Sequence, residues 1–231
     1  MECGDGRMTG GVTMISESAE YAALRHRMVE TQLRARGIAD EGVLAAMSRL
    51  PRHLFAPQPY RGQAYEDHPL PIGEGQTISQ PYMVALMLEF LELTSADHVL
   101  EVGTGSGYVT ALLAELAAHV VSVERHASLA DGARLQLALL GYSNVTVIAG
   151  DGSRGWPDFA PYDAIIVSAA AAEVPAELVA QLAEGGRMII PVGSGDSQEL
   201  LLIHKRNRKT LISTHGLCRF VPLIAGVSPR V

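Results

Sequence analysis

The chain has 231 residues, 48% of them hydrophobic and 19% charged, with a net charge of −7. These values fit a globular chain with apolar mass for one large core and exclude a disordered polymer. The acidic balance excludes nucleic-acid binding through a generally basic surface, and no apolar run reaches the roughly 20 residues that span a bilayer.

The first residues carry Gly4, Gly6, Gly10 and Gly11 without an apolar signal core. They are expected to form a flexible tail over 1–18, on a cytoplasmic protein. Cys3 and Cys218 form no disulfide framework, and the eight histidines are scattered without HExxH or CxxC spacing, so no metal is expected. From 19 to 50 the pattern is helical. Leu24, Met28 and Thr31 are expected on one face and Val43, Leu44 and Met47 on another, with Gly37 and Asp40 as the caps between them. Pro51, Pro57, Pro59, Pro69 and Pro71 then enforce a long irregular connection, a length unusual unless it is functional. The stretch "GEGQTISQPYM", 73–83, has neither a strong helix nor a strong strand pattern, and it opens an apolar helical run.

Beyond it, strands and helices alternate. "HVLEVG", "HVVSVE", "NVTVIAG", "DAIIVSAA" and "GRMIIPVG" are short apolar runs suited to strands buried on both faces. Helical patterns fall at 108–118, 128–140 and 175–183. The alternation predicts an α/β fold with a mainly parallel central sheet and helices on both faces. "ELLLIHKR" and "TLISTHGLCRFVPLI" have no helix between them and predict an antiparallel carboxy-terminal edge. The basic run 204–209 between them is expected to be a solvated hairpin. One domain over 19–231 is expected: a helical and loop segment to 81, a ligand-binding core over 82–195, and the last strands over 196–231.

"VLEVGTGSGY" is strand, glycine turn, helix. Gly103 permits the turn, Gly105 a close backbone approach, and Gly107 close helix packing. Thr104 and Ser106 complete the loop. Glu124, followed by Arg125, ends the next strand about 20 residues on, where a carboxylate grips ribose hydroxyls. Asp151 and Gly152, in "AGDG", are expected at the end of the third strand, on the same carboxyl edge. Alone, Glu124 reads as a surface charge and Asp151 as a helix N-cap; together with the loop they read as a nucleotide-type site. The spacing is GxGxG rather than GxGxxG, and Glu101 adds a carboxylate just before the loop. That is poor company for a pyrophosphate and suits a ligand carrying an ammonium and a sulfonium. S-adenosylmethionine is the expected cofactor, in a Rossmann-like methyltransferase fold.

Several segments in order, "PRHLFAP", "YRGQAYEDHPLPIGEGQTISQPYMVA", "VLEVGTGSGY", "SVER", "GDGSRGW", "IIVSAA" and "RFVPL", together resemble the bacterial type of protein-L-isoaspartate O-methyltransferase. The resemblance covers roughly 28–224, and "GQTISQPY" and "RFVPL" are its specific parts. It implies methylation of the free α-carboxylate of isoaspartyl residues in damaged proteins and peptides, which starts their return to aspartate. It implies that Ser79 is the catalytic residue, with Gln76, Thr77 and Ile78 in a loop over the cofactor. Val221, Pro222 and Leu223 match the segment flanking the substrate peptide, and Gln198 matches a position near the cofactor. From the residues alone, Ser79 reads first as a helix N-cap before Pro81; the resemblance puts the catalytic reading ahead, and the two roles are compatible.

The implied nucleophile is a carboxylate with a reference pKa of about 3.5, ionised at neutral pH, so no catalytic base is required. Alignment and exclusion of water are expected to supply most of the catalysis. The chain departs from the family pattern at Val109, in place of Gln, at Ser168, in place of Thr, and at Ala171 and Ala172, in place of prolines; the last two are expected to loosen the loop after the fourth strand. The tail exceeds the family core, with Met8 or Met14 as alternative starts. A monomer that binds neither nucleic acid nor membrane is expected. Two other readings stay open: a relative that methylates a carboxylate of one dedicated peptide during maturation, and a cofactor-binding module without catalysis.

Overall fold

The computed structural model describes residues 18–228. The expected glycine-containing tail, Cys3 and the alternative starts Met8 and Met14 lie outside them.

The chain opens with helix α1 (Ala19–Met28), capped by Ser18. A π-helical turn, Val29–Leu33, and a 3-10 turn, Arg34–Arg36, follow before Gly37 ends the segment in the left-handed region. The π turn shifts the buried face. Val29 and Leu33 point inward with Met28, while Thr31, expected on that face, is exposed and donates to the Arg27 carbonyl. Asp40 caps α2 (Glu41–Arg49) as expected, accepting from the Val43 N–H.

The proline-rich connection is more ordered than its sequence predicts. It holds 3-10 turns at Arg52–Phe55 and Gln58–Gln63, then a hairpin of β1 (Leu70–Gly73) and β2 (Gln76–Ile78). The stretch 73–83, which shows no strong strand pattern in its sequence, thus holds β2 as well as the start of the helix. Three residues are too few to show a period, and the turn at Gly73, Glu74 and Gly75, all at positive φ, carries the reversal. Helix α3 (Pro81–Leu91) starts on Pro81, and its cap position is Gln80, not Ser79.

Five parallel strands follow: β3 (His98–Val102), β4 (His119–Glu124), β5 (Val145–Ala149), β6 (Tyr162–Val167) and β7 (Leu182–Val192). They alternate with α4 (Tyr108–Leu116), α5 (Ala127–Leu139) and α6 (Ala176–Gln181). The last helix is shorter than its pattern, because Leu182 already pairs with Tyr162 in the sheet. Antiparallel β8 (Gln198–Arg206) and β9 (Lys209–Cys218) complete the order β5-β4-β3-β6-β7-β8-β9. Their connection is the expected hairpin, turning through Asn207 and Arg208 at positive φ.

The pleat of the sheet divides the core. Val99, Val120, Ile166 and Ile189 face α1–α4, and Leu100, Val121, Ile165 and Met188 face α6. The order of strand addition reverses between the parallel neighbours β3 and β6, and that switch point opens a crevice at their carboxyl ends. The final strand is shorter than expected, stopping at Cys218. Residues 219–224 leave the sheet and cross the carboxyl edge. There Ala170 donates to Val221 O at 2.8 Å and accepts from Leu223 N at 2.7 Å.

Candidate active site

A cavity occupies the crevice at the carboxyl ends of β3 and β6, where open α/β sheets bind their ligands. Its floor is the β3–α4 loop, contributing Gly103, Thr104, Gly105 and Ser106. Glu124, Arg125 and His126 line it from the end of β4, and Gly152 from beyond β5. Gln76, Thr77, Ile78 and Ser79 close it from the hairpin, and Val221, Pro222 and Leu223 from the carboxy-terminal segment. A second, more open cavity shares Thr77, Ser79, Ser168, Val221 and Pro222 with the first. Ser79 therefore stands on the wall that the two cavities share.

Local chemistry explains the loop. Gly105 adopts a positive φ, and a Cβ there would come within 3.2 Å of Ile72 Cδ1, so the hairpin lies directly on the loop. A Cβ on Gly107 would meet Ala133 of α5 at 3.3 Å, which is the close helix packing its position predicts. Glu124 is buried. Its Oε2 accepts from Gly105 N and its Oε1 from His126 N, both at 2.9 Å. The carboxylate is thus held rigidly on the cavity wall, and its remaining lone pairs can accept from hydroxyl groups.

Four predicted site residues do not line this cavity: Glu101, Gly107, Asp151 and Gln198. Asp151 lies two residues past the end of β5 rather than on it. It accepts from Ser153 N at 3.0 Å and from Gly226 N at 2.8 Å, tying the segment after β9 to the sheet edge. Burial works against its charge, but these donors hold its pKa below the usual carboxylate value. Gln198 accepts from Phe220 N at 2.8 Å and donates to Gly195 O, aiming the segment that carries Val221–Leu223.

Glu101 is fully buried beneath the loop. Thr110 and Ser122 donate to its Oε2 at 2.5 and 2.6 Å, Ser122 in turn meets the Thr104 hydroxyl at 2.5 Å, and Oε1 has no partner. Burial pushes the Glu101 carboxyl up to about 8, against those two donors and with the help of nearby Glu124. The folded pKa thus exceeds the unfolded one. The associated stability is full below about pH 4.5 and lost as pH rises through about 8. Each unit is worth about 1.4 kcal/mol. Urea unfolding of the ligand-free protein should therefore show a loss of several kcal/mol between pH 5 and pH 8 relative to Glu101→Gln. Parallel pH profiles for the two proteins would contradict the burial argument.

Reading the sequence missed Tyr108, His126, Ala169 and Ile224 on the cavity wall. His126 directly follows "VER" at the strand end and could have been flagged by its place on the carboxyl edge. Its Nε2 is buried without a partner, and its Nδ1 lies 3.6 Å from Glu74 Oε2 at the hairpin tip. Of the departures, Val109 and Ser168 line the cavity. Ala171 is tied through both backbone groups, to Pro191 O and Gly193 N, so that end of the loop is not loosened. His68 pairs with Glu66 and the Pro69 carbonyl and is absent from either cavity. Among the described residues no cluster of His, Cys, Asp or Glu could hold a metal, and no helix is long and apolar enough to cross a membrane.

The family model described as protein-L-isoaspartate(D-aspartate) O-methyltransferase matches residues 24–228. A protein-L-isoaspartate O-methyltransferase of Methanoculleus marisnigri is 58% identical over 201 residues, 87% of this chain and 91% of the relative. One of Koribacter versatilis is 55% identical over 211 residues, 90% and 95% of the two chains. A solved protein-L-isoaspartate O-methyltransferase superposes with a TM-score of 0.80 at 31% identity, over 88% of this chain and 67% of that one. A candidate enzyme of this type from Plasmodium falciparum, solved with S-adenosyl-L-homocysteine, gives a TM-score of 0.76 at 29% identity, over 87% and 98%.

Proposed function

The chain belongs to the protein-L-isoaspartate(D-aspartate) O-methyltransferase family, and on that premise we propose that it methylates the α-carboxylate of L-isoaspartyl residues, using S-adenosylmethionine, to start their repair. The observation that carries the reading is that the glycine loop, the Ser79 hairpin and the 221–223 segment share one cavity.

The residues fit this cofactor. A rigid buried carboxylate, Glu124, stands where ribose hydroxyls need an acceptor, and an unpartnered carboxyl oxygen of Glu101 lies under the loop. Bound S-adenosylmethionine supplies an activated methyl group on a sulfonium. Glu124 would take the ribose, and Thr104 and Ser106 of the loop would hold the methionine end. Arg125, His126 and Gly152 flank the base, and Gln76, Thr77 and Ile78 cover it. Asp151 and Gln198 act one step back, by fixing the carboxy-terminal segment. Ser79 donates to the substrate carboxylate and keeps it in line with the methyl group. Val221, Pro222 and Leu223 flank the peptide, whose exit is the open cavity beyond Ser79.

No residue needs to remove a proton, because the nucleophile is already ionised at neutral pH. A strong cation touching it would stabilise the ground state over the charge-neutralising transition state. A hydroxyl aligns it without that cost. We read residues 19–231 as one methyltransferase domain, and the protein as a cytoplasmic monomer without nucleic-acid or membrane partners.

Labelled cofactor offered to two peptides that differ only in isoaspartate against aspartate tests the reading. Base-labile label is expected on the isoaspartyl peptide alone. Equal labelling of both, or of neither, would overturn it in favour of a dedicated peptide substrate or a non-catalytic module.

A further inference from the structure

The segment "PRHLFAP" has no role in the chemistry above, yet it carries a fully buried cation. Arg52 follows Pro51 and starts the 3-10 turn Arg52–Phe55. Its Nε donates to Ala64 O and its Nη2 to Ser79 O, both at 2.7 Å. The guanidinium carbon lies 4.8 Å from the ring centre of Tyr108, the first residue of the helix behind the glycine loop. Phe55 packs edge-on against the same ring. Among the described residues no carboxylate pairs with Arg52, and Nη1 has no partner.

A buried charge with no carboxylate in direct contact, only Asp67 acting on it from further off, is costly, and an apolar side chain would fill the space more cheaply. The contacts state what the charge does. Its planar fork spans two backbone carbonyls in different loops while its face meets an aromatic ring, and no other side chain type offers all three. Ser79 lies between β2 and α3, and its hydroxyl bonds to nothing among the described residues. Its place over the glycine loop is therefore fixed through its backbone.

We propose that Arg52 is a positioning residue for methyl transfer: it clamps the Ser79 carbonyl and, through Tyr108, sets the distance from the Ser79 hydroxyl to the glycine loop. It rests on the reading of Ser79 above. Arg52 touches neither the reacting atoms nor the substrate. A misplacement of about 1 Å at reacting atoms costs up to about a hundredfold in rate, so loss of the clamp shows in kcat. The cofactor cradle keeps its own support from Glu124, so binding is spared.

The test uses Arg52→Lys, which keeps the charge and loses the fork, and Arg52→Gln, which loses both. Each is assayed below its own melting midpoint on the isoaspartyl peptide, with S-adenosylhomocysteine affinity measured by calorimetry. The expected result is a fall in kcat of about tenfold for Lys and more for Gln, with peptide KM and cofactor-product affinity within about threefold of wild type. A merely structural arginine would lower the melting midpoint and leave kcat per folded molecule unchanged, and that result overturns the proposal. So does an equal loss of cofactor-product affinity, which would place the effect on Tyr108. If neither variant folds, an ester in place of the Ser79–Gln80 amide weakens the Ser79 carbonyl as an acceptor and alters no side chain; its kcat should fall several-fold, and a wild-type value overturns the clamp. Near-normal turnover by Ser79→Asn would instead remove the reading of Ser79 itself, whatever the arginine variants do.

Discussion

Ser79→Asn is expected to lose about a hundredfold in turnover while remaining folded and able to bind the cofactor. From sequence, the competing role for Ser79 was a helix cap, a role Asn performs equally well. That role is gone, because Gln80 holds the cap position of α3 and has no side-chain cap bond either. The Ser79 hydroxyl supports nothing else, so a change of stability within about 0.5 kcal/mol is expected, as at an ordinary surface site. Ser79→Ala removes one neutral hydrogen bond to the substrate and should cost a few-fold to tenfold. Asn adds bulk beside the line of transfer and displaces the carboxylate, which accounts for the larger loss. Methyl transfer by folded Ser79→Asn within a few-fold of wild type would remove Ser79 from the chemistry.

Glu124→Ala should weaken S-adenosylhomocysteine binding by ten- to a hundredfold in a calorimetric titration. Two losses add. The ribose loses a charge-assisted acceptor, worth roughly 1.5–3 kcal/mol, and the N–H groups of Gly105 and His126 lose theirs. Each 1.4 kcal/mol is about a factor of ten. Glu124→Gln keeps one carbonyl oxygen for one of those donors and should fall between the two. Wild-type affinity in the alanine variant would mean that the ribose lies elsewhere in the cavity.

The parallel sheet was legible because its strands are buried on both faces and so form continuous β-branched runs between glycine and proline breaks. The glycine loop and Glu124 were legible because their spacing follows from a βαβ unit and needs no distant partner. What stayed hidden depended on partners far away in the chain. The β1–β2 hairpin is too short to show alternation. The path of 219–224 is set by Ala170 and by Gln198, not by its own residues. Glu101 read as a ligand group, yet its burial under Thr104 is a property of the packed loop. Arg52 falls in the proline-rich irregular connection and carried no role of its own in the sequence, since nothing local signals a guanidinium buried between two carbonyls and a ring.

On the proposed reading, one cavity brings a methyl donor to an isoaspartyl carboxylate held by Ser79. Following a single isoaspartyl peptide through repeated rounds with the enzyme and S-adenosylmethionine tests it most directly. Chromatography should show a methyl ester, then succinimide, then accumulating normal aspartyl peptide, with none of these from Ser79→Asn at matched times. An unchanged isoaspartyl peptide with wild-type enzyme, or a stable ester on another carboxylate, would contradict the account.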